Sequence, residues 1–206
     1  MQTSHTPTSI SIPLTQTFTD FSVSNQFELK PWINQLWAKD ECTARHAFRV
    51  AKAAVALGEK LALDECQLRD LWLSAFLHDI GKVQIEDAIL NKPAQLESSE
   101  QRVMKTHPER GFELLEKKGV SPRISAAVRF HHERWDGGGY PFGLEGEQIP
   151  LFSRIIAVVD AFDALANRRP YRKPLGFPDA AQVIAACAGT QFDPKVVKAF
   201  FLITSP

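Results

Sequence analysis

DECQLRDLWLSAFLHDIGK, residues 64–82, is the stretch that decides the fold. Asp64 is a residue type that caps helix N-termini, and Leu68, Leu71, Trp72, Ala75 and Phe76 recur behind it at helical spacing. Gly81 stands where such a helix should stop. His78 and Asp79 then fall at the C-terminal end, where an irregular last turn lets both side chains enter one cavity. A carboxylate there has two oxygens and can bridge two cations.

The helical period continues in both directions. Upstream, Trp32, Ile33, Leu36 and Trp37 share a face, and Val50, Ala53, Ala54 and Leu57 form another after His46. Downstream, Ser98 or Ser99 opens a helix through Val103, His107, Phe112 and Leu115 to Gly119, with Pro108 predicting a break beside His107. Ser121-Pro122 opens the next, which runs into His131. Residues 136–150 form a Gly-rich loop in which no regular helix is comfortable. Ile155, Ile156, Val159, Phe162 and Leu165 mark the buried face of the helix after Pro150, and residues 179–186 and 193–203 supply two closing helices. With no βαβ alternation and no internal repeat, the pattern is an all-α bundle.

Bulk properties bound the rest. With 206 residues, 44% of them hydrophobic and 23% charged, the chain suits one soluble globular domain. Residues 29–206 are read as that domain, and the Ser/Thr-rich residues 1–28 as a mobile tail; a weak alternation at Ile10, Ile12 and Leu14 leaves a strand laid on the domain as the other reading. Lys and Arg number 24, as do Asp and Glu, so no global basic excess exists to bind long nucleic acid. Cys42, Cys66 and Cys187 form no CxxC pair, which argues against a disulfide framework or thiolate zinc site and fits a reducing cytoplasm. Residues 1–28 hold no Lys or Arg, unlike a signal peptide, and the longest apolar runs fall far short of the roughly 20 residues a membrane span needs.

Five of the six histidines, His46, His78, His107, His131 and His132, fall in short polar or acidic clusters, accompanied by Asp79 and Asp160. Imidazole and carboxylate together suit iron, manganese, zinc or nickel, and a pair of such ions generates hydroxide at neutral pH. One isolated helical histidine is usually an ordinary surface or core residue, but the doublet at 131–132 and the His78-Asp79 pair point to ligation. Lys82, three residues after Asp79, could reach a phosphate held there, or could simply favour a helix C-terminus. Arg168, Arg169, Arg172 and Lys173 surround Pro170 and Tyr171 as a local positive patch with an aromatic face, or as a solvated charge run.

Four strings, LHDIGK at 77–82, HP at 107–108, HHERWDGGGYP at 131–141 and RPYR at 169–172, together resemble the HD-GYP family of the HD phosphohydrolase superfamily. The resemblance covers about residues 40–200. It implies an HD-superfamily helical bundle with a Gly-rich GYP loop, acting as a metal-dependent cyclic di-GMP phosphodiesterase. It further implies His46, His78, Asp79, His107, His131, His132 and Asp160 as metal ligands, Asp79 bridging, and catalytic roles for Asp79 and Lys82. Lys82, Tyr140, Asp163, Arg169 and Arg172 match positions that contact the nucleotide. Family members with three metals carry Glu four residues before the first ligand histidine; Cys42 stands there here, so two divalent ions, iron or manganese, are expected.

The expected reaction is in-line attack of a metal-bridging hydroxide on one phosphodiester, giving pGpG and, if the product rebinds, GMP. Two rivals stand beside it. One is a non-catalytic module that binds a cyclic dinucleotide or docks signalling proteins through the GYP loop; the other is hydrolysis of a different cyclic dinucleotide. Oligomeric state is left open.

Overall fold

The computed structural model describes residues 41–167 and 174–204, together with Pro31, Asn34 and Ala38. The tail at 1–28, the aromatic stripe at 32–37, the Cys42 side chain and the Arg168–Lys173 patch, with Arg169 and Arg172, lie outside the described residues.

The helices are α1 (Glu41–Lys60), α2 (Glu65–Leu77), α3 (Asp87–Leu90), α4 (Ser98–Met104), α5 (His107–Lys117), α6 (Pro122–Arg129), α7 (Leu151–Ala166), α8 (Phe177–Ala186) and α9 (Pro194–Thr204). Short 3-10 turns occupy Ile80–Gln84 and Gly146–Gln148. Extended pairing among the described residues is limited to two isolated bridges, Asp136 with Glu145 and Ala188 with Phe192. The bundle is all-helical, as the periodicity predicts.

α2 starts as the sequence requires. The Asp64 carboxylate accepts from the Gln67 amide at 2.8 Å, and the Gln67 side chain accepts from the Asp64 amide at 2.9 Å. This reciprocal box satisfies two donors the first turn would otherwise leave open. Its apolar face carries Leu71, Ala75 and Leu77, all essentially inaccessible, against Val50, Ala54 and Leu57 of α1. α1 also packs on α7 and α9, whose Ile155, Ile156, Val159, Val196 and Phe200 complete the core. Each such fully buried Leu, Ile or Phe contributes roughly 1.5–3 kcal/mol through its removal from water.

One boundary differs from expectation and one agrees with it. Gly81 does not end α2 in a left-handed turn: the helix stops at Leu77, and Gly81 lies inside the following 3-10 turn. Its reason is close approach, because a Cβ at Gly81 would sit 2.0 Å from the His107 carbonyl oxygen. The break expected at Pro108 is present: Lys105 and Thr106 separate α4 from α5, and Pro108 occupies the first turn of α5, where its missing N–H costs nothing.

Candidate metal centre

The histidines converge from separate helices. His46 lies on α1, His78 and Asp79 follow α2, His107 opens α5, His131 and His132 follow α6, and Asp160 projects from α7. His107, His131 and His132 form one triad and His46, His78 and Asp160 a second; within each, the potential ligand atoms all lie within 4.8 Å of one another.

Backbone carbonyls set the orientation of three rings. The Nδ1 atoms of His78, His107 and His131 donate to the carbonyls of Ala75 (2.6 Å), Met104 (2.8 Å) and Val128 (2.6 Å), each three residues earlier. A carbonyl only accepts, so each ring carries a proton on Nδ1 and turns its Nε2 inward. Nε2 of His107 and Nε2 of His131 are 3.3 Å apart. Nε2 of His78 is wholly buried and makes no hydrogen bond among the described residues; Asp79 Oδ2 lies 3.4 Å from it. Two ring nitrogens turned toward each other and a buried nitrogen without a hydrogen bond are costly in a metal-free protein, and a cation would resolve both. The donor set fits first-row divalent ions.

Asp79 stands between the triads. Its Oδ1 is 3.2 Å from Nε2 of His107, and its Oδ2 is 3.4 Å from Nε2 of His78 and 2.6 Å from the Lys82 ammonium. Burial pushes the Asp79 carboxyl up, but Lys82 and the neighbouring imidazoles outweigh it and hold the group well below the usual carboxylate range. Asp160, also opposed by burial, is held far down by its bond from His46 at 3.1 Å. Burial and neighbouring imidazoles depress His131 and His132, the latter to about 3, so both are neutral at pH 7. Burial lowers His46 too, yet its hydrogen bonds to Asp160 and Asp163 raise it to about 9.

The Gly-rich loop closes one side. The half-buried Tyr140 ring stacks on His132 with centroids 4.8 Å apart, and the Lys105 ammonium lies 5.2 Å from the centre of that ring. Burial and the acids of the site push the Tyr140 phenol upward, which keeps it a neutral donor. The loop folds back tightly enough that a Cβ at Gly139 would sit 2.3 Å from the Arg134 amide. Buried Glu133 pins it, accepting from the amides of Phe142 (2.7 Å) and Leu144 (3.1 Å).

All seven residues expected as ligands are therefore brought together, with Lys82 against Asp79 and Tyr140 against His132. Asp163, implied by the resemblance to contact the nucleotide, lies against His46. Its carboxylate is buried and accepts from His46, Arg49 and Asn167. Sequence reading missed Arg49 and Glu133; Glu133 lies inside the 131–141 string, whereas Arg49 offers no local signal.

The family described as the HD domain matches residues 31–196. This chain belongs to the HD domain family. The intact strings at 77–82 and 131–141 place it in the HD-GYP branch. A cyclic di-GMP phosphodiesterase from Thermotoga maritima is 39% identical over 178 residues, covering 84% of this chain and 48% of that protein. A 3'3'-cGAMP-specific phosphodiesterase 2 from Vibrio cholerae is 37% identical over 170 residues, covering 80% of this chain and 32% of that protein. The HD domain chain thus spans a third to a half of the length of these relatives. Among solved structures, Bd1817, an HDG"Y"P protein from Bdellovibrio bacteriovorus, shares the fold at TM-score 0.67 and 19% identity, over 81% of this chain and 54% of that one.

Proposed function

We propose that this HD-GYP domain hydrolyses a cyclic dinucleotide, cyclic di-GMP in the first place, using two divalent ions, iron or manganese, held by the two triads and bridged by Asp79. The observation that carries the reading is the position of Asp79: each of its oxygens faces a different triad, and one of them also accepts from Lys82 at 2.6 Å. Ions so held would lower the pKa of a water to near neutrality and draw charge from phosphoryl oxygens.

Hydrolysis adds water across one P–O3′ bond: the water oxygen bonds to phosphorus, the bond to the 3′ oxygen breaks, and a proton ends on that oxygen. The chain's own groups serve this in three ways. Depressed Asp79 and Asp160 remain anionic, and His131 and His132 remain neutral, so these four groups are ready to hold a cation at physiological pH, while His46 must give up its Nε2 proton to do so. Lys82 brings a cation beside Asp79, where it meets phosphoryl charge as it grows. Tyr140, stacked on His132, presents an aromatic edge and a neutral hydroxyl to the substrate. Arg169 and Arg172 complete the phosphate contacts in this reading. Linear pGpG is the first product, and GMP follows if the linear product rebinds.

A second reading, cleavage of 3'3'-cGAMP, is favoured by the Vibrio cholerae relative. Anaerobically purified protein loaded with iron or manganese and given each cyclic dinucleotide separately tests both by product chromatography. Linear product from cyclic di-GMP supports the main reading, and product from cGAMP alone replaces it with the second. No product from either leaves a binding or docking role.

A further inference from the structure

We infer that Asp163, clamped by Arg49, is a positioning residue for His46 and thereby sets the affinity of the metal position formed by His46, His78 and Asp160. This rests on reading the two triads as metal positions.

His46 differs from the other imidazoles of the site. His78, His107 and His131 turn Nδ1 to a backbone carbonyl, whereas His46 donates from Nδ1 to Asp163 Oδ2 at 2.7 Å. A carboxylate is the stronger acceptor, so once a cation replaces the Nε2 proton it holds the Nδ1 proton more firmly and makes Nε2 a more basic ligand atom. Nε2 of His46 lies 3.1 Å from Asp160 Oδ1, within the second triad.

Asp163 is itself held rigidly. Arg49 reaches it through Nε to Oδ1 at 2.6 Å and through a terminal nitrogen to Oδ2 at 2.9 Å, and Asn167 Nδ2 adds a bond to Oδ1 at 2.9 Å. With His46 this makes four donors on two oxygens, which fills the accepting capacity of a carboxylate. Its side chain is only 10% exposed, and a nucleotide could use it only by displacing one of these bonds. The assembly joins α1 to α7 across 117 residues of sequence and presents His46 on one side of the site.

The same geometry makes the two positions unequal. One offers two imidazoles and a carboxylate, with one imidazole supported by a second carboxylate; the other offers three imidazoles. Asp163 acts on the first alone.

Manganese(II) titration of the metal-free full chain, with free ion followed by electron paramagnetic resonance, tests this. The unaltered chain should bind two ions. Asp163→Asn, which keeps shape and removes charge, should weaken one binding step about 10–100-fold and leave the other in place. With manganese saturating, its KM for the cyclic dinucleotide should be unchanged. Arg49→Gln, which leaves the carboxylate and removes its clamp, should weaken the same step to a smaller extent and serves if the first variant does not fold. Unchanged metal binding with a raised KM would make Asp163 a substrate contact and overturn the inference. Equal weakening of both steps would reduce it to general structural support, and fewer than two ions on the unaltered chain would remove the metal reading itself.

Discussion

At the residue scale, the site's chemistry comes from how burial and hydrogen bonding divide its titratable groups. Lys82 is the cation against the Asp79 carboxylate, and its contribution should appear only as phosphoryl charge develops. Lys82→Ala is expected to lower kcat about 100–1000-fold while leaving two metals bound per chain, checked by steady-state kinetics beside metal analysis. Loss of metal in that variant would show that Lys82 serves the ligands instead. Asp79→Ala should abolish turnover and reduce metal content together, because one residue faces both triads. Five histidines and two aspartates were recognisable in the sequence as a set because doublets and acid neighbours are uncommon without ligation. The bond from His46 to Asp163 was not, because it joins helices whose approach no local pattern encodes.

At the element scale, helix ends matter more than helix interiors. Five of the seven expected ligands, His78, Asp79, His107, His131 and His132, follow α2 and α6 or open α5, and packing at those ends decides whether they meet His46 of α1 and Asp160 of α7. Gly81 is the tightest of these contacts, lying against the His107 carbonyl. Gly81→Ala should therefore cost about 1–3 kcal/mol by overpacking and move His107 away from Asp79, giving a lower Tm and a lower metal content. A Gly81→Ala protein with unchanged Tm and metal content would contradict that packing. In the GYP loop, Glu133→Ala leaves two buried amides without an acceptor, at about 1–3 kcal/mol each. Its activity should fall through loss of the Tyr140–His132 stack, measured against the Tyr140→Phe variant, which keeps the ring. The Asp64 cap, the Pro108 break and the Gly-rich loop were legible because their causes act over a few residues. Gly81 was misassigned as a helix stop because the atom it makes room for belongs to another element.

At the scale of the whole molecule, the site's titrations are linked to stability. His132 is held at about 3 in the fold against an ordinary 6.5, so the fold favours its neutral form; that stabilisation is complete above 6.5 and fades as pH falls toward 3. His46 is raised to about 9, so its contribution is complete below 6.5 and is lost as pH rises through 9. Asp79 and Asp160, both depressed, add to the acid side once pH falls into the ordinary carboxylate range and below. Thermal melts of the metal-free chain between about pH 5 and about pH 9 should therefore peak near 6.5, and bound metal should flatten the alkaline limb by displacing the His46 proton. A Tm that climbs steadily to pH 9 in the metal-free chain would contradict the His46 assignment. No helix among the described residues is long and apolar enough to cross a membrane. The most direct test is anomalous diffraction from crystals grown with manganese. Two peaks about 3.5–4 Å apart are expected, one bonded by His107, His131 and His132, the other by His46, His78 and Asp160, with an Asp79 oxygen on each. Absence of density there, or a single ion that leaves one triad unengaged, would contradict the two-metal site.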